Sequence, residues 1–210
     1  MKVKLIAYTP NPDKLVYMAA KQTISNKIIE ETSVPEDQIR TFLRKLHNLG
    51  HNSVFEHVSF TFLISGISRA CSHQLVRHRL ASYSQLSQRR TDIVFMTSSE
   101  TNVVLPQTIM NNKEAHAIFD EITRESFRAY RRLKELGIPK EDARYVLPEG
   151  TTTILYMTMN GRELLHVIKL RTDESAQWEI RELFTKMEEE VKRVAPAIFS
   201  VSDLEAALSS

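Results

Sequence analysis

The chain has 210 residues, 42% hydrophobic and 26% charged, with 5 Gly and 7 Pro, which excludes a collagen-like, low-complexity or disordered chain. A net charge of +2 is close to neutral overall, which favours a small anionic ligand over a long polyanion, whose binders usually carry a basic face on the whole domain. Met1–Tyr8 lacks the apolar run of a signal peptide, no stretch reaches the roughly 20 apolar residues of a membrane span, and the single cysteine, Cys71, excludes an internal disulfide. The expectation is a cytoplasmic protein with no membrane partner.

Val3–Tyr8 alternates apolar and polar residues like a short strand, and a helix follows Pro12. A second helix runs from Pro35 to Asn48, with Ile39, Phe42, Leu43, Leu46 and Leu49 on one face and Gly50 as its stop. Val58, Phe60, Phe62 and Ile64 alternate with polar residues, the clearest strand pattern in the chain. Ser68–Val76 is helical, which puts Arg69 and His73, and His73 and Arg77, on a shared face. Leu80–Arg90 is rich in Ser and Gln and reads as an irregular loop; Ile93–Met96 and Val103–Leu105 are short β candidates.

Lys113–Leu136 is a long helix with Ile118, Ile122, Tyr130 and Leu133 as its apolar face, stopped at Gly137 and Pro139. Lys140–Val146 is a short helix before Pro148, and Thr152–Met159 is a β-branched and apolar strand. A helix follows from Gly161 to Leu170 with Asn160 as N-cap. The last runs from Ser175 to Val194, with Ala176, Ile180, Leu183, Met187, Val191 and Val194 on one face, ended by Pro196. Strands and long helices do not alternate regularly, and neither repeat nor linker is visible. The pattern predicts an α+β fold, a mixed or antiparallel sheet flanked by long helices, in one domain over 1–210.

Charge is the unusual feature. Between Arg69 and Arg90 lie five arginines and two histidines with no acid and no lysine. No Asp or Glu occurs from His57 to Thr91, where 26 acids in 210 residues would place about four. Arginine without lysine favours planar, two-pronged recognition of phosphate or of a carbonyl edge.

Several chemistries compete for this window. Gly occurs only at 50, 66, 137, 150 and 161, so no P-loop or dinucleotide fingerprint is present. His51, His57, His73 and His78 match no zinc spacing and sit among arginines that repel a cation, so no metal is expected. Ser82, Ser84 and Ser87 lack a G-x-S-x-G elbow and suit anion donors or local caps better than nucleophiles. Cys71 reads as a packing residue. Tyr83 among arginines keeps RNA binding open, since aromatic and guanidinium planes both stack bases.

Arg77-His78-Arg79, then seven residues, then Ser87 and Arg89 resembles the signature of the flavin-dependent thymidylate synthases. Gly50-His51-Asn52-Ser53-Val54-Phe55-Glu56-His57 is similar to the family's G-H-x-S/T-x-x-E-H segment, and Ala143-Arg144-Tyr145-Val146-Leu147-Pro148 to its A-R-x-x-L-P. Asn160-Gly161-Arg162 resembles its N-A/G-R, and Leu170-Arg171 with Ala176-Gln177-Trp178-Glu179-Ile180 its L-R-x-x-x-x-A-Q-W-E-I. These segments fall in family order over most of the chain from 50 to 180.

The resemblance implies a homotetramer with active sites at subunit interfaces, FAD as cofactor, and methylation of dUMP to dTMP with methylenetetrahydrofolate as carbon donor and NADPH as reductant. It implies that dUMP is bound by Gln74, Leu75, Val76, Arg77, Gln85, Leu86, Ser87, Gln88, Arg89, Arg144 and Arg171. FAD would be held by Ser53, Glu56, Arg77, His78, Arg79, Gln85, Asn160, Gly161, Arg162 and His166. Arg171 is the catalytic candidate: against the pyrimidine, it stabilises negative charge as N3 ionises and C5 becomes nucleophilic. Ser87 and Arg89 suit the phosphate, and Glu56, an acid near the site in sequence, suits the orienting of an arginine.

The chain departs from the common family pattern at Ser84, where many members have Asn, at Arg90, where an aromatic is frequent, and at Gly161, where Ala is commoner. Glycine there weakens a helix start by up to ~1 kcal/mol. A nucleotide- or RNA-binding module that keeps the arginine loop without catalysis is the rival reading. A flavin enzyme acting on another nucleotide is the third.

Overall fold

The alternation read from Val58 to Ile64 extends into a ten-residue strand whose Phe60, Phe62, Ile64 and Ile67 side chains are fully buried. The computed structural model describes residues 1–92 and 101–200, so the β candidate Ile93–Met96 lies outside the described residues. Four strands, β1 (Lys2–Tyr8), β2 (Ser59–Ser68), β3 (Ala81–Gln85) and β4 (Thr152–Asn160), form one sheet in the order β1-β2-β4-β3. The described helices are α1 (Pro12–Gln22), α2 (Glu36–Asn48), α3 (Arg69–Leu75), α4 (Gln107–Met110), α5 (Lys113–Glu135), α6 (Lys140–Ala143), α7 (Gly161–Thr172), α8 (Trp178–Val194) and α9 (Pro196–Phe199). The class is α+β, helices with an antiparallel sheet. No described helix is long and apolar enough to cross a membrane.

The chain divides into two compact units. The first comprises Met1, Ser65–Val76 and the described residues of Ser84–Leu155; the second comprises Lys2–Ile64, Arg77–Tyr83 and the described residues from Tyr156 onward.

In the second unit, α8 buries Ile180, Leu183, Phe184, Met187 and Val191 against α7 and β1. Each such side chain contributes roughly 1.5–3 kcal/mol. The helix starts at Trp178, three residues later than its period suggested, because the Gln177 side chain accepts from the backbone N–H groups of Glu179 and Ile180 and caps it. Pro196 opens the short α9 instead of merely ending α8; the Asp13 carboxylate accepts from the Ala197 and Ile198 N–H groups at 2.9 and 3.0 Å. Gly50, with φ +77°, terminates α2 as expected, while Leu49, assigned to the apolar face, is 59% exposed.

In the first unit, α5 buries Thr123, Phe127 and Tyr130. Ile118 and Ile122 were expected in that face but are 58% and 62% exposed. Ile122 sits about 100° around the helix from Thr123, so the apolar residues spread over two faces, of which the unit covers one. Val103 makes a single antiparallel bridge to Thr151 in place of the strand expected at Val103–Leu105.

The segment Leu80–Arg90 requires a correction. It contains β3, at the sheet edge, with Ala81, Tyr83 and Gln85 half-buried and Ser82 and Ser84 exposed. The alternation is there, but its inward positions hold an alanine, a tyrosine and a glutamine, so a hydrophobicity pattern does not reveal it.

Candidate active site

The family-like segment from Gly50 to His57 folds as a 3₁₀ turn, Asn52–His57, that anchors on buried Phe55 and leaves Glu56 exposed. Asn160 caps α7 by accepting from the Glu163 N–H at 2.8 Å, as its sequence position predicted. Gly161 then lies against that turn, its N–H donating to the Val58 carbonyl at 2.8 Å. In the second unit these two elements frame a cavity of about 660 Å³. It is lined by His47, Asn52, Glu56, Leu80, Asn160, Arg162, Glu163, Leu165, His166 and Lys169.

Four residues predicted for FAD meet in this cavity: Glu56, Asn160, Arg162 and His166. Arg162 donates from Nη1 to Glu56 Oε1 at 2.6 Å, which gives Glu56 the arginine-orienting contact expected of it. Both partners are about half exposed, so the pair contributes at most ~1 kcal/mol and an incoming anion can recruit the guanidinium. Ser53, Arg77, His78 and Arg79 belong to the same unit without lining the cavity; Gln85 belongs to the first unit. The residues fit a dinucleotide cofactor: Arg162 and Lys169 offer cationic donors for a pyrophosphate, Glu56 accepts from hydroxyl groups, and Leu80 and Leu165 give apolar wall within a volume typical of ligand sites. Sequence reading missed His47, Asn52, Leu80, Glu163, Leu165 and Lys169. Lys169 follows His166 and Arg162 at helical spacing, a signal present in the sequence.

The first unit has its own cavity, about 380 Å³, lined by Arg69, His73, Gln88, Arg144, Tyr145, Leu147, Pro148 and Glu149. Of the residues predicted for dUMP, Gln88 and Arg144 meet there. Arg69 and His73 join them from the α3 face they share. Gln74, Leu75, Val76, Gln85, Leu86, Ser87 and Arg89 also belong to this unit, whereas Arg77 and Arg171 belong to the second. Leu75 is fully buried, so the structure gives it no exposed face for a ligand. Gln85 donates from Nε2 to Ser72 Oγ at 2.9 Å and to Thr153 Oγ1 at 3.1 Å, leaving its carbonyl oxygen as an acceptor. Glu141, unforeseen from sequence, ties down two predicted arginines: its carboxylate pairs with Arg89 Nε at 3.2 Å and its carbonyl accepts from Arg144 Nε at 3.0 Å. Arg69, Arg77 and Arg79 have no acidic partner among the described residues.

Around Arg171 the second unit makes specific polar contacts. Arg171 Nε donates to His78 Nε2 at 3.0 Å. Burial first, then the Arg171 guanidinium and His166, push the His78 imidazole from 6.5 down to about 4. His78 is therefore neutral near pH 7, with Nε2 as acceptor and the proton on Nδ1. The Tyr83 hydroxyl donates to the His78 carbonyl at 2.9 Å; burial first, then Glu163, raises the phenol to about 12 and keeps it protonated. Half-buried, Tyr83 ties β3 to the His78 backbone through that bond. Cys71 is 1% exposed in the core. No group of three or more potential metal ligands occurs among the described residues.

Known proteins match this arrangement over nearly the whole chain. The profile of the family described as thymidylate synthase complementing protein matches residues 4–197. A flavin-dependent thymidylate synthase of Geobacter sulfurreducens is 45% identical over 201 residues, 95% of this chain and 85% of that protein. One from Sulfolobus acidocaldarius is 42% identical over 95% of this chain and 75% of its own length. Among solved structures, a UMP/dUMP methylase of Streptomyces cacaoi crystallised with 5-bromo-dUMP superposes with a TM-score of 0.79 at 25% identity, over 95% of this chain and 93% of that one. With a family profile over residues 4–197 and relatives at 42–45% identity over 95% of its length, the chain belongs to the flavin-dependent thymidylate synthase family.

Proposed function

We propose that this chain methylates dUMP to dTMP, using FAD, methylenetetrahydrofolate as carbon donor and NADPH as reductant. The observation that carries the reading is the sorting of the signature residues into two chemically different cavities: Glu56, Asn160, Arg162 and His166 in one, Gln88 and Arg144 in the other. When bound, a reduced flavin supplies the hydride that turns a transferred methylene into a methyl group. The chain's own residues then have four tasks. Arg162, Lys169, Asn160 and Glu56 hold the cofactor's phosphates and hydroxyls, with Ser53, Gly161, His166 and the Arg77–Arg79 run beside them. Arg144, Gln88, Ser87 and Arg89 take the substrate phosphate, with Arg69 and His73 adding positive charge to the same cavity. Gln74 and Gln85 orient the nucleotide. Arg171 stabilises the uracil as N3 loses its proton.

The assembly belongs to the same proposal. Ile118, Ile122 and Met110 of the first unit are 58%, 62% and 46% exposed, an apolar surface that a second copy would cover in a homotetramer. One family match, over residues 4–197, runs through both compact units, which supports reading the chain as one functional domain. The test is purification with FAD followed by tritium release from C5-labelled dUMP. Yellow protein whose release requires methylenetetrahydrofolate and NADPH is the expected result. Colourless protein that cannot be reconstituted, or release from another labelled nucleotide only, overturns the reading.

A further inference from the structure

Arg171 meets its substrate with a guanidinium that is already fixed at one corner. The Nε–H is used on His78 Nε2 at 3.0 Å, while Nη1 and Nη2 make no hydrogen bond among the described residues. An arginine free at Nε presents two alternative forks, side-on through Nε and Nη or end-on through the two Nη groups. With Nε engaged, only the end-on fork remains, and its two parallel N–H donors match adjacent acceptors such as an ionised N3 and the neighbouring carbonyl oxygen of uracil.

The acceptor that imposes this choice is itself held from two sides. Its backbone carbonyl accepts from Tyr83, and its ring packs edge-on against buried Phe184, centroids 6.1 Å apart at 75°. Burial keeps the ring neutral, so Nε2 retains its lone pair and adds no charge beside the guanidinium.

We infer that His78 is a positioning residue for Arg171, fixing its guanidinium end-on for the ionised uracil edge. The inference rests on the proposed role of Arg171 and assigns His78 a task distinct from its expected contact with the cofactor.

The test uses FAD-loaded protein, flavin content by absorbance, and calorimetric binding of dUMP and of its N3-methyl derivative. His78→Gln keeps an acceptor oxygen near the Nε2 position; His78→Leu removes it while filling the space against Phe184. Expected is a dUMP affinity about tenfold lower in H78L, the scale of one hydrogen bond to a charged group, with near-parental affinity in H78Q. The preference for dUMP over the N3-methylated nucleotide should shrink in H78L. The double variant H78L/R171A should bind no more weakly than R171A.

Additive losses in the double variant, or an H78L affinity equal to that of the parent, would overturn the positioning role while leaving the function intact. A parent protein that binds no dUMP, or an R171A variant that binds it as tightly as the parent, would instead remove the substrate reading beneath it. Should H78L fail to fold, H78N against H78Q decides, because asparagine withdraws its oxygen to the Nδ1 position; equal dUMP affinities in the two overturn the inference.

Discussion

Gly161→Ala separates what the sequence alone suggests from what the packing dictates. Alanine is the better helix former and the commoner residue at this family position, so propensity predicts a gain of up to ~1 kcal/mol. The structure reverses the sign. A Cβ built on Gly161 would stand 2.7 Å from the Phe55 carbonyl oxygen and 2.8 Å from Val58 Cγ2, both closer than a carbon atom tolerates. The Val58 methyl can turn; the Phe55 oxygen is backbone in the 3₁₀ turn and moves only with Asn52–His57, whose Phe55 side chain is fully buried. Overpacking of this kind costs about 1–3 kcal/mol, toward the upper end where backbone must move, so after the propensity gain of up to ~1 kcal/mol the net is a destabilisation of roughly 1–2 kcal/mol. At this chain length that is a fall in Tm of roughly 2–8 °C. FAD affinity should fall as well, because the displaced turn carries Ser53 and Glu56. Gly150→Ala is the internal control: its Cβ would meet Val104 O at 3.6 Å, an ordinary contact, and its Tm should hold or rise. The assay is thermal unfolding of both variants beside the parent. An unchanged or higher Tm for G161A refutes the argument.

Acid should expose the neutral His78. Its pKa is about 4 folded and 6.5 unfolded, so between those values the unfolded chain binds a proton that the native chain refuses, and stability falls as pH drops from 6.5 toward 4. The full displacement corresponds to about 3 kcal/mol, but the ring is half-exposed, and screening reduces this to about 1 kcal/mol. Urea melts at pH 7 and pH 5 should show the parent losing about that much more than H78Q; parallel losses sink the prediction. Arg69→Ala removes a cation from the smaller cavity and should weaken dUMP binding about tenfold with flavin content unchanged, and titration showing equal affinity rejects a substrate role for Arg69. Cys71→Ala should retain turnover at a cost of ~1 kcal/mol, because the thiol is shut in the core away from either cavity; loss of turnover in a folded, FAD-loaded protein contradicts this.

What was legible in the sequence follows from how each signal is encoded. The Phe60, Phe62 and Ile64 alternation and the Asn160 cap are local, carried by residue types whose preference needs no partner. β3 was hidden because its inward residues, Ala81, Tyr83 and Gln85, are held by a glutamine bonded to Ser72 and Thr153 and by a tyrosine tethered to a carbonyl, not by apolar burial. Ile118 and Ile122 expose the opposite failure: a helical period announces an apolar face but does not say whether the same chain covers it. Motif spacing reached Glu56, Asn160, Arg162, Gln88 and Arg144. It did not reach His47 or Glu141, whose roles come from partners far away in sequence: His47 lines a cavity with α7, and Glu141 pairs with Arg89.

The acid-free stretch has a physical reading beyond charge counting. Cations that await an anion cannot be neutralised beforehand by good internal partners, or the ligand must first break those pairs. Arg69, Arg77 and Arg79 form no ion pair among the described residues, and the pair that Arg89 forms with Glu141 is over half exposed on the arginine side and correspondingly weak. Arg171 is oriented by a neutral imidazole, which fixes its direction without cancelling its charge. A carboxylate in place of His78 would orient the guanidinium equally well, but its charge would oppose the anion that Arg171 is there to stabilise. The exclusion of Asp and Glu from 57–91 and the choice of histidine at 78 thus express one requirement, guanidinium groups held in place with their charge still available.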